Sequence, residues 1–195
     1  LLFLVAVIIS LVVGSVSGGK ISRLGEIEID RVVWIASSFL IKMASSHVLT
    51  GRFEPSSGIC LSLSMLTYLT LFYGLYPNLR LPGFTLLTAG AFSNFLVIIA
   101  NGGRMPVDLS HLEPGVVESQ IPVLMRSLTH CQLITDTKLK VLADIFSWRF
   151  LIIKPTTFSI GDVLMAAGVF FFVLKIMHRD FGEWEKGDKI RGDRV

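Results

Sequence analysis

The chain has 195 residues, of which 52% are hydrophobic and 17% charged, with a mean hydropathy of +0.67. Soluble globular domains carry about 25% charged residues, so this composition leaves too little polar surface to cover a water-facing globule. The net charge of +3 does not point to a nucleic-acid partner, because no basic run is interleaved with aromatics as a binding stripe would be; basic loops flanking apolar runs account for it.

The apolar residues fall into long runs, which identifies lipid as the solvent. Residues 1–16 are nearly unbroken apolar sequence. A signal peptide would carry a basic segment ahead of its apolar run, and none is present, so a retained helix is expected. The chain opens on Leu1 rather than Met, and a few preceding residues are expected. Gly18-Gly19-Lys20 begins a polar link. Further spans are predicted at about 32–49, 59–76, 84–100 and 160–177, each about 27 Å long as a helix. Pro55, Pro77-Asn78 and Pro82-Gly83 punctuate the turns between them. The fold class is therefore an all-α bundle of five transmembrane helices within one domain, 1–177, followed by a charged tail, 178–195.

Residues 101–159 are too polar to span a bilayer and too apolar to be a free linker. They are predicted to form a cap lying on the membrane surface. Val116, Val117, Ile121, Val123, Leu124 and Leu128 suit one amphipathic face, with Pro122 expected to interrupt any helix there. Trp148, Phe150, Leu151 and Ile152, flanked by Arg149 and Lys154, suit an interfacial anchor. Lys20, Arg23, Arg31, Arg80, Lys175 and the lysines and arginines of the charge-balanced tail fall on the side away from the cap. The positive-inside rule then places the N-terminus and cap outside the plasma membrane and the C-terminus in the cytoplasm.

Polar residues inside the apolar runs are the candidate functional positions. Lys42 lies well inside the second run, and with Ser38, Ser45 and Ser46 it makes a polar stripe expected to face the bundle interior. Such a stripe suits an ion, proton or substrate path; equally, the lysine can snorkel to the outer interface. Asn94 sits mid-run and is expected to hydrogen-bond a neighbouring helix. Asp162 opens the last run, where it is either a residue favoured by the helix dipole or a catalytic or ion-binding carboxylate. An ion pair between Lys42 and Asp162 is expected. Ser10, Gly14 and Gly18 form a small-residue stripe suited to close helix packing. Cys60 and Cys131 fall on one face, so a disulfide is open to them. No metal-ligand spacing and no cofactor motif is present.

The strings Asn101-Gly102-Gly103-Arg104-Met105-Pro106-Val107, Thr135-Asp136-Thr137-Lys138-Leu139, Leu142-Ala143-Asp144 and Phe158-Ser159-Ile160-Gly161-Asp162-Val163-Leu164, with the opening Gly18-Gly19-Lys20-Ile21-Ser22-Arg23-Leu24, resemble a bacterial multi-pass membrane-protein family of unknown function. The resemblance implies a prokaryotic membrane protein, and Lys42 departs from the apolar second span that it implies. A fainter likeness is to lipoprotein signal peptidase, an intramembrane aspartyl protease. Ala89-Gly90-Ala91-Phe92-Ser93-Asn94 resembles its third helix, and Phe158-Ser159-Ile160-Gly161-Asp162 resembles its F-N-x-A-D element. The first catalytic aspartate of that family falls on Val97 here, so Asp144 or Asp108 would have to replace it from the cap. The leading expectation is a non-enzymatic accessory or scaffold subunit whose partners are the bilayer and other membrane proteins, with no nucleic acid. The alternatives are an aspartyl-protease-like hydrolase using Asp162 and Asp144, and a small transporter or lipid-binding protein using the Lys42 stripe.

Overall fold

A computed structural model of the chain describes residues 2–150 and 153–178. It is mostly helical. Helices α1 (Leu2–Val16), α2 (Val32–Met43), α3 (Ser57–Leu75), α4 (Phe84–Ala100) and α6 (Ile160–Met177) form a bundle, and α5 (Pro114–Arg126) belongs to the cap. Three helical stretches are long and apolar enough to cross a membrane: Val32–Leu49, Ser57–Asn78 and Ile160–Met177. Leu2–Val16 and Phe84–Ala100 are apolar but shorter. Val33, Phe39, Leu40 and Leu69 point outward from α2 and α3, the distribution expected where lipid replaces water.

Helices α4 and α6 pack antiparallel through two pairs of glycines. A Cβ on Gly90 would collide with the Gly161 carbonyl oxygen, and one on Gly168 would press on the Gly83 carbonyl. The seven-residue spacing within each helix keeps both pairs on the contact line. Helix α1 runs parallel to α6, with Gly14 seated against Met177. Of the small-residue stripe, Ser10 and Gly14 are buried, whereas Gly18 is exposed with φ +88° and lies just past the end of α1. At that end the Lys20 N–H donates to the Met177 carbonyl at 2.8 Å. Helix α2 packs antiparallel on α3, with Gly74 against Ile35. Buried Asn78 ties the same end to the preceding link, donating to the Asp30 and Gly74 carbonyls and accepting from the Asp30 N–H. The core between α3 and α4 is aromatic, with Tyr68, Phe72 and Phe95 in mutual ring contact.

The fold is not all-α. The cap holds two small sheets that no periodicity announces. Strand β1 (Met105–Val107) pairs in parallel with β2 (His130–Gln132), with α5 in the connection between them. Asp144 bridges to the other side of β1 through Val107. Strands β3 (Phe146–Phe150) and β4 (Ile153–Phe158) form an antiparallel hairpin leading into α6. The aromatic segment predicted as an interfacial anchor is thus strand β3. Trp148 is partly exposed in it, and Leu151 and Ile152 lie outside the described residues. Pro122 does not interrupt α5. It lies on the exposed face with Glu118, so the carbonyl that loses its helical N–H partner is open to solvent. Val117, Ile121 and Leu124 pack on Val107, Leu109 and Leu112, whereas Val123 faces outward.

Candidate functional site

The motif loop after α4 sets the cap on the bundle. Gly102 and Gly103 have φ of +73° and +87°, a region that disfavours side chains. A Cβ on Gly103 would also strike the backbone of Cys60 and Leu61. The Gly103 carbonyl accepts from Ser64 Oγ on α3 at 2.7 Å. Asn101 donates to the Val97 and Lys138 carbonyls and accepts from the Lys138 N–H, which joins the two cap motifs directly. Arg104 lines a separate cleft with Cys131 and Asp136. Cys60 and Cys131 are both free thiols. Burial pushes the Cys131 thiol up, against the nearby Arg104 charge.

At the start of α6, Ser159 and Asp162 form a reciprocal capping box. The Ser159 Oγ accepts from the Asp162 N–H, and Asp162 Oδ2 accepts from the Ser159 N–H, both at 3.0 Å. Asp162 Oδ1 accepts from Asn94 Nδ2 at 2.9 Å, and the Asn94 carbonyl oxygen accepts from Ser159 Oγ at 2.8 Å. The close approach of α4 and α6 at Gly90 and Gly161 brings these groups together: a Cβ on Gly161 would occupy the space of the Asn94 side chain.

Asp144 reaches the same place from the cap. Its N–H donates to the Pro106 carbonyl and its carbonyl accepts from the Asp108 N–H, both at 3.0 Å. The residue is 6% exposed, and its Oδ1 has no hydrogen-bond partner. Burial first, and the Asp162 charge second, push this carboxyl up to about 7, against the opposing pull of Lys42. Asp108, the other cap carboxylate open to a catalytic role, instead accepts from the Ser110 N–H, and the hydrogen bonds of Ser110 and the charge of His111 outweigh desolvation to hold it low.

Lys42, Asn94, Asp144 and Asp162 all line one small, partly open cavity of about 50 Å³, with Lys42 exposed and Asp162 half-buried. Tyr68, Ser64 and Thr67 of α3 and His130 of β2 complete its polar wall. Burial, then the Lys42 charge, push His130 down to about 4, so the imidazole is neutral at pH 7. Sequence reasoning missed His130 and Tyr68. No local signal marks either, because a three-residue strand and a span tyrosine acquire their position only through packing. The expected Lys42–Asp162 ion pair does not form: among the described residues no carboxylate lies within 4 Å of the Lys42 amine. Asn94 occupies the Asp162 oxygen instead. The polar stripe does not hold as one face either. Ser38 is buried against the Ile35 carbonyl away from the cavity. Beyond Met43 the helix widens into a π-helix, Ala44–Leu49, which keeps Ser45 on the cavity but turns Ser46 to a neighbouring groove.

That groove has a volume of about 640 Å³ and lies between the π-helical segment, α5 and β4. Leu109, Leu112, Val116 and Val123 give it aliphatic walls. Thr129 and His130 line both the groove and the cavity.

The chain belongs to the family of unknown function DUF5317, whose model matches residues 26–174. An uncharacterized protein of Thermotoga maritima is 32% identical over 121 residues, covering 56% of this chain and 62% of that relative. The match thus spans less than two thirds of the relative's length. No solved structure matches the chain.

Proposed function

We propose that the protein is a membrane-embedded hydrolase acting through Asp144 and Asp162, on a peptide bond presented at the outer edge of the bilayer. The observation that carries this reading is the convergence of two carboxyl groups, remote in sequence, on one small cavity, where an Asp144 oxygen is buried without a partner. A two-carboxylate hydrolase needs one acid and one base at the same pH. Asp144, held up to about 7, supplies the proton donor. Asp162, whose two oxygens both serve as acceptors, supplies the base. In the first step Asp162 takes a proton from a water as its oxygen attacks the scissile carbonyl carbon, while Asp144 gives its proton to the carbonyl oxygen. The tetrahedral intermediate collapses as Asp162 passes its proton to the departing nitrogen, the C–N bond breaks, and Asp144 recovers a proton from one hydroxyl of the gem-diol as it becomes the product carboxyl. The cavity admits the reacting group and water but not the body of a substrate; the adjoining groove is of ligand size and would hold the rest. This reading replaces the accessory subunit, which assigns the converged carboxyl groups no task.

The same proposal includes five crossings with the cap outside. α1 and α4 are short, but they pack against the full-length α6 and so share its depth. At the end away from the cap, Arg31 stacks on Tyr73 at 4.1 Å and Trp34 meets the same ring edge-on, an arrangement suited to a headgroup layer. The test is cleavage of quenched fluorogenic peptides by the purified protein in liposomes. Asp144→Asn and Asp162→Asn should each abolish cleavage, and a statine-type inhibitor, whose hydroxyl mimics the tetrahedral intermediate, should block it. Cleavage that survives both substitutions would end the reading.

A further inference from the structure

We infer that Lys42 is a positioning charge for the Asp144–Asp162 pair, acting across the cavity to fix how many protons the two carboxyl groups hold together. The inference rests on the hydrolase reading and adds a residue that the two-carboxylate chemistry does not itself require. An intramembrane lysine is costly, and it persists where a charge partner or a function offsets the cost. Lys42 has no ion pair among the described residues, yet it lines the cavity that both carboxyl groups line.

The groups facing Asp144 are Lys42 from α2, Tyr68 from α3, Asp162 from α6 and His130 from β2. With His130 pushed down to about 4, Lys42 is the cation of this set at neutral pH. Two carboxyl groups in one low-dielectric site resist holding two negative charges, and a nearby cation relieves that resistance. An ammonium in direct contact with one carboxylate would fix the charge on that partner alone. Held beyond 4 Å, it acts on both. The local backbone sets this placement. Ser45 Oγ donates to the Ile41 carbonyl and Ser46 Oγ to the Lys42 carbonyl, at 2.8 and 3.0 Å, where the helix widens.

The charge effect is measurable without any substrate. In the full-length protein in nanodiscs, the infrared band of the protonated Asp144 carboxyl, assigned by its loss in Asp144→Asn, is titrated from acid to alkaline pH. Lys42→Met should raise the midpoint by about one pH unit, the lower end of the range for a nearby opposite charge. Lys42→Arg should leave it close to the native value. Where Lys42→Met does not fold, Lys42→Gln gives the same comparison. A midpoint that does not move in the neutral variant overturns the inference. The optimum of peptide cleavage should move to higher pH in parallel. A moving midpoint in a protein that cleaves no peptide would leave the charge coupling standing and refute the hydrolase reading.

Discussion

Asp144→Asn should make the protein more stable at alkaline pH. A carboxyl at about 7 in the folded chain, against 3.8 when solvated, means that the folded state binds the proton more tightly. The stability that this carboxyl contributes is therefore greatest below about pH 4, falls as pH rises through the window from about 4 to 7, and stays reduced above it. The difference amounts to roughly 4 kcal/mol once both states are ionised. Asparagine removes the charge at nearly constant shape. It leaves a neutral amide with the unpaired position that Oδ1 now holds, a cost of about 1–3 kcal/mol. The net gain is about 2 kcal/mol at pH 8.5, with no gain at pH 4. For a chain of this size that is about 4–8 °C in unfolding midpoint. Thermal unfolding of both proteins, in one detergent across this pH range, measures it. A variant destabilised equally at both ends, or one with the native pH slope, would refute the account of Asp144. The expected result is a more stable protein without hydrolytic activity, the trade found where a site is held against its own stability.

Three further outcomes follow from the cap. Gly103→Ala should destabilise the protein severely, by more than about 3 kcal/mol, because it combines a φ of +87° with a backbone collision; Gly115→Ala, with open space around it, should be nearly silent in the same melt. Asn101→Ala removes three hydrogen bonds to α4 and the Lys138 segment. It should cost about 2–3 kcal/mol and speed hydrogen exchange at Lys138 and its neighbours, whereas unchanged exchange would show that the loop holds itself. His130 is pushed from 6.5 to about 4, so the folded state binds its proton less well and loses stability as pH falls through that window. His130→Gln should flatten this acid limb, read as the pH dependence of the unfolding midpoint.

The bundle was legible because long apolar runs are a strong local signal, and Lys42, Asn94 and Asp162 stand out by contrast with those runs. The cap was not. Strands of three residues carry no period to detect, and Pro122 reads as a break unless it is known to lie on the solvent side of α5. The stripe from Ser38 to Ser46 assumed an uninterrupted 3.6-residue helix, which the π-helical segment breaks. Asp144 is marked in the sequence only by resemblance, and no local pattern separates it from Asp108. Only the pairing of its backbone with Pro106 and Asp108 carries it over the cavity, and that pairing joins residues almost forty positions apart, beyond the reach of any local pattern.

The glycine pairs between α4 and α6 bear on how anything reaches the carboxyl groups. With the Gly83 and Gly90 backbones in contact with Gly168 and Gly161, these two helices leave no seam that a side chain or lipid tail can part. The wall carrying Asn94 and Asp162 is therefore fixed, and passage into the cavity falls to the opposite wall. There the hydroxyls of Ser46, in the π-helical segment, and of Thr50, just past it, reach the cap at Thr129 and the Leu128 N–H, each at 3.4 Å. Loosening those two contacts would open a lateral route into the cavity while leaving the Asn94 and Asp162 side chains in register.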